Sequence, residues 1–153
     1  MTHKLEAESS AYSVASLMVS PVEIVKPTDL VKSALRRMIK KDIGCLIVVE
    51  SGKPVGIITD RDVSRKVAKT AKVLMRQVRT VMSRPLITVT PNTPIEKAAY
   101  LMVRYGIRRL PVIDSGILVG LISERDLLLR FAYSLRFPRA SAATATPHAE
   151  PER

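Results

Sequence analysis

The chain repeats itself at an offset of 64 residues without a gap, and this duplication constrains its fold more than any other feature. Laying Met18–Val63 on Met82–Leu127 gives 16 identities in 46 positions. They include Pro21 with Pro85, Pro27 with Pro91, Ala34 with Ala98, Met38 with Met102, Ile43 with Ile107 and Arg61-Asp62 with Arg125-Asp126. A fixed period of this length marks one supersecondary unit used twice. A unit of roughly 60 residues buries too little surface for comfortable stability alone. Two copies packed sheet against sheet, sharing one core, are therefore expected. The expected organisation is a flexible N-terminus over 1–13, a first repeat over 14–72 and a second over 73–137 that includes a linking helix, Val73–Met82. A tail over 138–153, dominated by Ser, Ala, Thr and Pro, is expected to be disordered.

Each unit is legible locally. Ile24-Val25 and Ile87-Thr88-Val89 read as short first strands, ended by Pro27 and Pro91. A helix follows in each copy. Thr93 is the expected N-cap of the second, with Pro94 in the first helical position and Glu96 completing a capping box. Asp29 is the expected cap in the first copy, with Val31, Ala34, Leu35 and Met38 on the apolar face. These helices must end near Asp42 and Gly106. Beyond them, Cys45–Val49 and Pro54–Ile58 flank Ser51-Gly52-Lys53, and Leu110–Ile113 and Ile117–Ile122 flank Ser115-Gly116. Paired apolar runs around a glycine-containing turn predict hairpins. A second helix begins near Thr59 or Ser123. The fold class is thus mixed α/β (α+β): two tandem strand–helix–strand–strand–helix repeats packed sheet to sheet about a pseudo-two-fold axis, each with a right-handed crossover.

Composition narrows the function. No apolar stretch reaches the roughly 18 residues that span a bilayer, and no signal-peptide pattern opens the chain, so a cytoplasmic, membrane-independent protein is expected. The single cysteine, Cys45, lies in an apolar run far in sequence from His3 and His148, which makes it a packed thiol rather than a nucleophile. There is no metal-ligand cluster, nucleophile–base arrangement or phosphate loop, so no catalysis is expected. The net charge is +11, of which +7 falls between Arg61 and Arg84.

Gly56-Ile57-Ile58-Thr59-Asp60-Arg61-Asp62 and Gly120-Leu121-Ile122-Ser123-Glu124-Arg125-Asp126, each closing one copy of this topology, resemble the ligand signature of CBS domains, named after cystathionine β-synthase. Tyr105-Gly106-Ile107-Arg108-Arg109-Leu110-Pro111-Val112 resembles the segment such domains place against their ligand. The resemblance spans about Val14 to Phe137 and leaves over no catalytic domain, which suggests a stand-alone pair rather than the regulatory part of an enzyme such as inosine monophosphate dehydrogenase. It implies binding of an adenosyl ligand (AMP, ADP, ATP or S-adenosylmethionine) in clefts between the repeats. It also implies signalling to a regulated protein partner, and flat, disc-like homodimers. Leu127, Leu128, Leu129 and Phe131, with Val63 and Val67, are the apolar residues expected at the dimer seam.

The residue chemistry agrees with that ligand. Thr59 and Ser123 end a strand and begin a helix, where free N–H groups and the helix dipole attract anions. Asp62 and Asp126, one turn on, can accept both hydroxyls of a ribose. The competing reading is structural, since Ser/Thr-x-x-Asp is itself a capping pattern that needs no ligand. Arg108 and Arg109 suit phosphate; the matching residues in the first copy are Gly44 and Cys45. The tighter cleft is therefore expected on the second repeat, lost with Asp126, although Lys26, Arg61 or Arg125 can reduce the difference by reaching across. Ile43, Ile107, Ile58 and Ile122 can sandwich an adenine ring or serve the core, and Thr88 and Ile24 can contact its edge. The alternative function is a nucleic-acid-binding or protein-docking module. Arg61, Arg65, Lys69, Lys72, Arg76 and Arg79 would form one basic stripe on a continuous helix, but a break near Thr70 and the scarcity of aromatic residues argue against it.

Overall fold

The computed structural model describes residues 12–136, so most of the expected flexible N-terminus and the whole 138–153 tail lie outside the described residues. The first repeat contains β1 (Ile24–Val25), α1 (Val31–Lys41), β2 (Cys45–Glu50), β3 (Lys53–Thr59) and α2 (Asp60–Val67). The second contains α3 (Ile95–Tyr105), β4 (Arg109–Asp114), β5 (Ile117–Ser123) and α4 (Glu124–Arg136). The β2–β3 and β4–β5 pairs are antiparallel, and β1 adds parallel to β2. Both hairpins turn on Ser-Gly pairs with positive φ at both residues, 51° and 76° at Ser51-Gly52 and 50° and 81° at Ser115-Gly116. That geometry matches the twist of the flanking strands.

The second copy's expected first strand shrinks to one parallel bridge, Val89 with Val112. Proline chemistry explains the loss. In the first repeat the Ile47 N–H donates to the Glu23 carbonyl at 3.1 Å. Pro111 occupies the matching position and has no N–H to give.

The expected helix caps are displaced by one residue. The first helices of the two repeats start after Leu30 and Pro94, neither of which caps through a side chain. Asp29 instead accepts the Lys26 N–H at 3.0 Å, and Thr93 accepts the Thr90 N–H at 3.0 Å, closing the preceding turns. The helix starts find other acceptors: the Val31 N–H donates to the Arg76 carbonyl at 2.9 Å, and the Ile95 N–H to the Tyr12 carbonyl at 3.3 Å.

Arg76 and Tyr12 are themselves 64 residues apart, so the two repeats exchange their leading segments. The Val78 N–H bonds the Asp29 carbonyl, and the Val14 N–H bonds the Thr93 carbonyl, both at 2.8 Å. The expected linking helix Val73–Met82 is therefore not continuous. It is two short 3-10 turns, Ala71–Met75 and Val78–Thr80, with Arg76 extended between them so that its carbonyl reaches α1.

The single shared core is also corrected. Val25, Val31, Ala34, Met38, Leu46, Val48, Ile58 and Val63 form one cluster, sealed by Val73, Val78 and Val81 of the linking segment. Val89, Ala98, Met102, Leu110, Val112 and Ile122 form a second, sealed by Val14. Each repeat folds its helices onto its own sheet and borrows its lid from the segment before the other. The repeats then meet where β3 lies against β5. Gly56 and Gly120, buried on these two strands, admit the thioethers of Met82 and Met18, and a Cβ on either would stand 2.6 Å from the sulfur. Val63, expected at a dimer seam, is fully buried in the first core, and Val67 packs against it.

Candidate functional site

A cleft of about 540 Å³ opens between the repeats. That size suits a nucleoside-sized ligand. The first repeat contributes Ile57, Thr59, Asp60, Arg61, Asp62 and Arg65; the second contributes Ile87, Ile107, Arg108, Arg109 and Pro111. The end of β3 and the first turn of α2 supply one wall, because Thr59 leaves the strand in an extended conformation and caps the helix. The Asp62 N–H donates to Thr59 Oγ1 at 3.1 Å. The Thr59 hydroxyl proton and the Asp62 carboxylate have no partner among the described residues. Four arginines face two aspartates around the cleft, so its potential is positive at the start of a helix, where the dipole already favours anions.

The matched start in the second repeat is built differently. The Ser123 N–H and hydroxyl both donate to Asp126 Oδ2, at 2.8 and 2.7 Å, while the Asp126 N–H donates to Ser123 Oγ at 3.3 Å. This is a reciprocal capping box, and it turns the Asp126 carboxylate inward. The capping reading is thus realised in full at Ser123–Asp126 and only by half at Thr59–Asp62.

The two arginines occupy distinct places. Arg108 is exposed, with its Nε 3.7 Å from Glu124 Oε2. Arg109 crosses to the first repeat, where its guanidinium lies so close to Gly44 that a Cβ there would overlap it. Gly44 is therefore the residue that lets Arg109 cross. Beside it, burial pushes the Cys45 thiol up to about 11, against the opposing pull of Arg109. Cys45 is a core thiol, with no nucleophilic character at neutral pH.

Of the residues singled out from sequence, the cleft brings together Thr59, Asp62, Ile107, Arg108 and Arg109. The expected grouping of the two arginines with Asp126 is corrected: the fold sets them opposite Asp62, because each cleft wall comes from a different repeat. Ser123, Asp126, Arg125, Ile43, Gly44 and Ile24 are not among its lining residues. Ile58 and Ile122 are fully buried core side chains and sandwich nothing. Their neighbour Ile57, on the opposite face of β3, lines the cleft instead. Strand alternation was the available signal: if Ile58 points to the core, Ile57 points away from it. Thr88 lines a separate shallow depression with Thr90, Thr93 and Lys97, and Ile87 takes the cleft position expected of it. Among the described residues no His, Cys, Asp and Glu gather to hold a metal, and no helix is long and apolar enough to cross a membrane.

Two exchanged α+β repeats with an arginine-rich cleft between them define a tandem-repeat ligand-cleft module. The chain belongs to the CBS domain family, whose model matches residues 14–69 and 78–133. It is 35% identical over 115 residues to the CBS domain-containing protein YhcV of Bacillus subtilis, covering 75% of this chain and 82% of that one. Among solved structures it resembles the CBS domain pair of protein MJ0100 in complex with 5′-methylthioadenosine and S-adenosyl-L-methionine, with TM-score 0.73, 27% identity and coverage of 79% of this chain and 96% of that one. It also resembles CBSX2 in complex with AMP, with TM-score 0.69, 27% identity and coverage of 82% and 100%.

Proposed function

We propose that the chain is a non-catalytic sensor that binds an adenosyl ligand in the cleft between Thr59–Asp62 and Ile107–Arg109. The carrying observation is that one cleft joins an unpartnered aspartate at a helix start to a set of arginines. In this reading Asp62 accepts the ribose hydroxyls. Arg108, with Arg61, Arg65 and Arg109, holds phosphate. Ile57, Ile87 and Ile107 flank the base. The complexes of the similar MJ0100 and CBSX2 proteins support this ligand class. AMP, ADP and ATP fit the arginines best, and S-adenosylmethionine is the remaining member of the set.

Binding has a structural consequence. In this reading a phosphate competes with Glu124, the first residue of α4, for the Arg108 guanidinium. Ligand occupancy is thereby passed to α4 and on to a homodimer partner or a regulated protein. A cytoplasmic setting is part of the same proposal, and the single buried thiol is in keeping with it.

Nucleic-acid binding is the second reading, favoured by the exposed Arg65, Lys66, Lys69, Lys72, Arg76 and Arg79. The structure breaks that stripe after Val67 and again at Arg76. Calorimetry of the purified chain against AMP, ADP, ATP and S-adenosylmethionine tests the adenosyl reading. A polyanion reading requires instead a steep salt dependence of duplex binding with no heat from the nucleotides.

A further inference from the structure

We infer that Asp60 is a resident anion of the cleft: in the ligand-free chain it stands against the Arg109 guanidinium and a free N–H at the start of α2, and so holds down affinity for a ligand's phosphate. The inference rests on the adenosyl reading above. It adds a residue that sets how strongly the cleft separates a phosphate-bearing ligand from an uncharged one.

Asp60 opens α2 and lines the cleft beside Thr59 and Asp62. Its N–H donates to the Gly44 carbonyl at 3.0 Å, which pins its backbone beside that glycine. Its Oδ1 accepts the Arg61 N–H at 2.7 Å. That N–H is one of the helix-start donors with no carbonyl of the helix to bond, and an arriving phosphate uses donors of this kind. The same carboxylate faces the arginine that crosses from the second repeat. A Cβ on Gly44 would stand 3.6 Å from Asp60 Oδ1 and would overlap the Arg109 guanidinium, so the two charges meet over the bare backbone of Gly44. The Cys45 thiol, raised mainly by its burial, senses both charges with opposite sign: Arg109 lowers its pKa and Asp60 raises it. The two aspartates of this turn therefore differ. The Asp62 carboxylate is unpartnered, whereas Asp60 already holds the donors that suit a phosphate.

The repeat supports the assignment. Glu124, 64 residues on, opens α4, donates its N–H to the Arg108 carbonyl at 2.8 Å and holds Oε2 3.7 Å from Arg108 Nε. One position of the repeat thus sets a carboxylate beside an arginine of the cleft in each copy. Arg61 and Arg65 take part in none of the ion pairs among the described residues. A phosphate that draws on Arg109 does so against the Asp60 charge, whereas adenosine, with a hydroxyl in place of the phosphate, meets no such opposition.

The test is titration calorimetry of AMP and of adenosine into the wild type, Asp60→Asn, Asp60→Ser and Asp60→Glu. Asparagine keeps an oxygen for the Arg61 N–H and serine is well tolerated at helix starts, so an uncharged variant should fold, and circular dichroism checks this. Both uncharged variants should tighten AMP by roughly three-fold to ten-fold, the scale of one partly screened unit charge, and leave adenosine within about two-fold. Asp60→Glu keeps the charge and should stay close to the wild type with both ligands. AMP weakened or unchanged by loss of the charge, AMP tightened as much by Asp60→Glu, or both ligands tightened alike overturns the role of Asp60 and leaves the cleft reading standing. Neither ligand binding to the wild type or to any variant overturns the adenosyl reading itself, and this inference with it.

Discussion

Replacing each signature aspartate by alanine should separate structure from binding, because the two carboxylates have different partners. Asp126 Oδ2 accepts two short bonds from Ser123, and the Asp126 N–H donates to Ser123 Oγ in return. Asp126→Ala removes both accepted bonds and the anionic charge at the start of α4. A lost cap costs about 0.5–2 kcal/mol, and a first-turn charge about 0.3–1 kcal/mol. Asp62→Ala removes only the first-turn charge, since the Thr59 bond is to the Asp62 backbone N–H and survives. Asp126→Ala should therefore destabilise the ligand-free chain by about 1 kcal/mol more than Asp62→Ala, roughly 3–6 °C in melting temperature for a protein of this size. The assay is thermal and urea unfolding followed by circular dichroism, without nucleotide. Equal losses, or a larger loss for Asp62→Ala, would refute the claim that only the second-repeat aspartate is committed to the fold.

Gly44→Ala should weaken AMP several-fold while barely changing adenosine affinity, because the new Cβ displaces the Arg109 guanidinium; calorimetry with both ligands checks this. Gly56→Ala and Gly120→Ala should each cost about 1–3 kcal/mol in urea unfolding, since a Cβ collides with Met82 or Met18 where the strands meet. Cys45 should resist thiol reagents at pH 8 in the native chain and react fast in urea. Its folded value of about 11 lies above the ordinary 9.0, so the stability it contributes is complete below pH 9 and is lost as pH rises from 9 to 11. A native labelling rate near that of a free thiol would contradict this.

The repeat, both hairpins and the helix starts at Thr59 and Ser123 were legible because each is written in local chemistry: identity at one offset, Ser-Gly turns, a hydroxyl capping a helix. What escaped was carried by distant partners. Nothing near Val31 announces that its N–H will bond Arg76, so the caps were placed one residue early and the linking segment was read as a helix. The exchange of leading segments also converted one expected core into two. Of the candidate residues only Thr59, Asp62, Ile107, Arg108 and Arg109 line the cleft, because which repeat faces which is a tertiary fact, and it sets the arginines opposite Asp62 rather than Asp126. The shortened strand at Val89 was readable in principle from Pro111, whose missing N–H falls where Ile47 donates in the first copy.

Titration calorimetry of AMP into the wild type, Asp62→Ala and Asp126→Ala decides whether the cleft lined by Asp62 holds the nucleotide. AMP should bind the wild type with a Kd on the order of micromolar. Asp62→Ala should weaken it by roughly ten-fold to a hundred-fold, the worth of a charge-assisted bond of about 1.5–3 kcal/mol. Asp126→Ala should leave the tight site within about three-fold of wild type, a difference of under roughly 0.7 kcal/mol. No heat at millimolar AMP, or loss of the tight site with Asp126→Ala and not with Asp62→Ala, would contradict it.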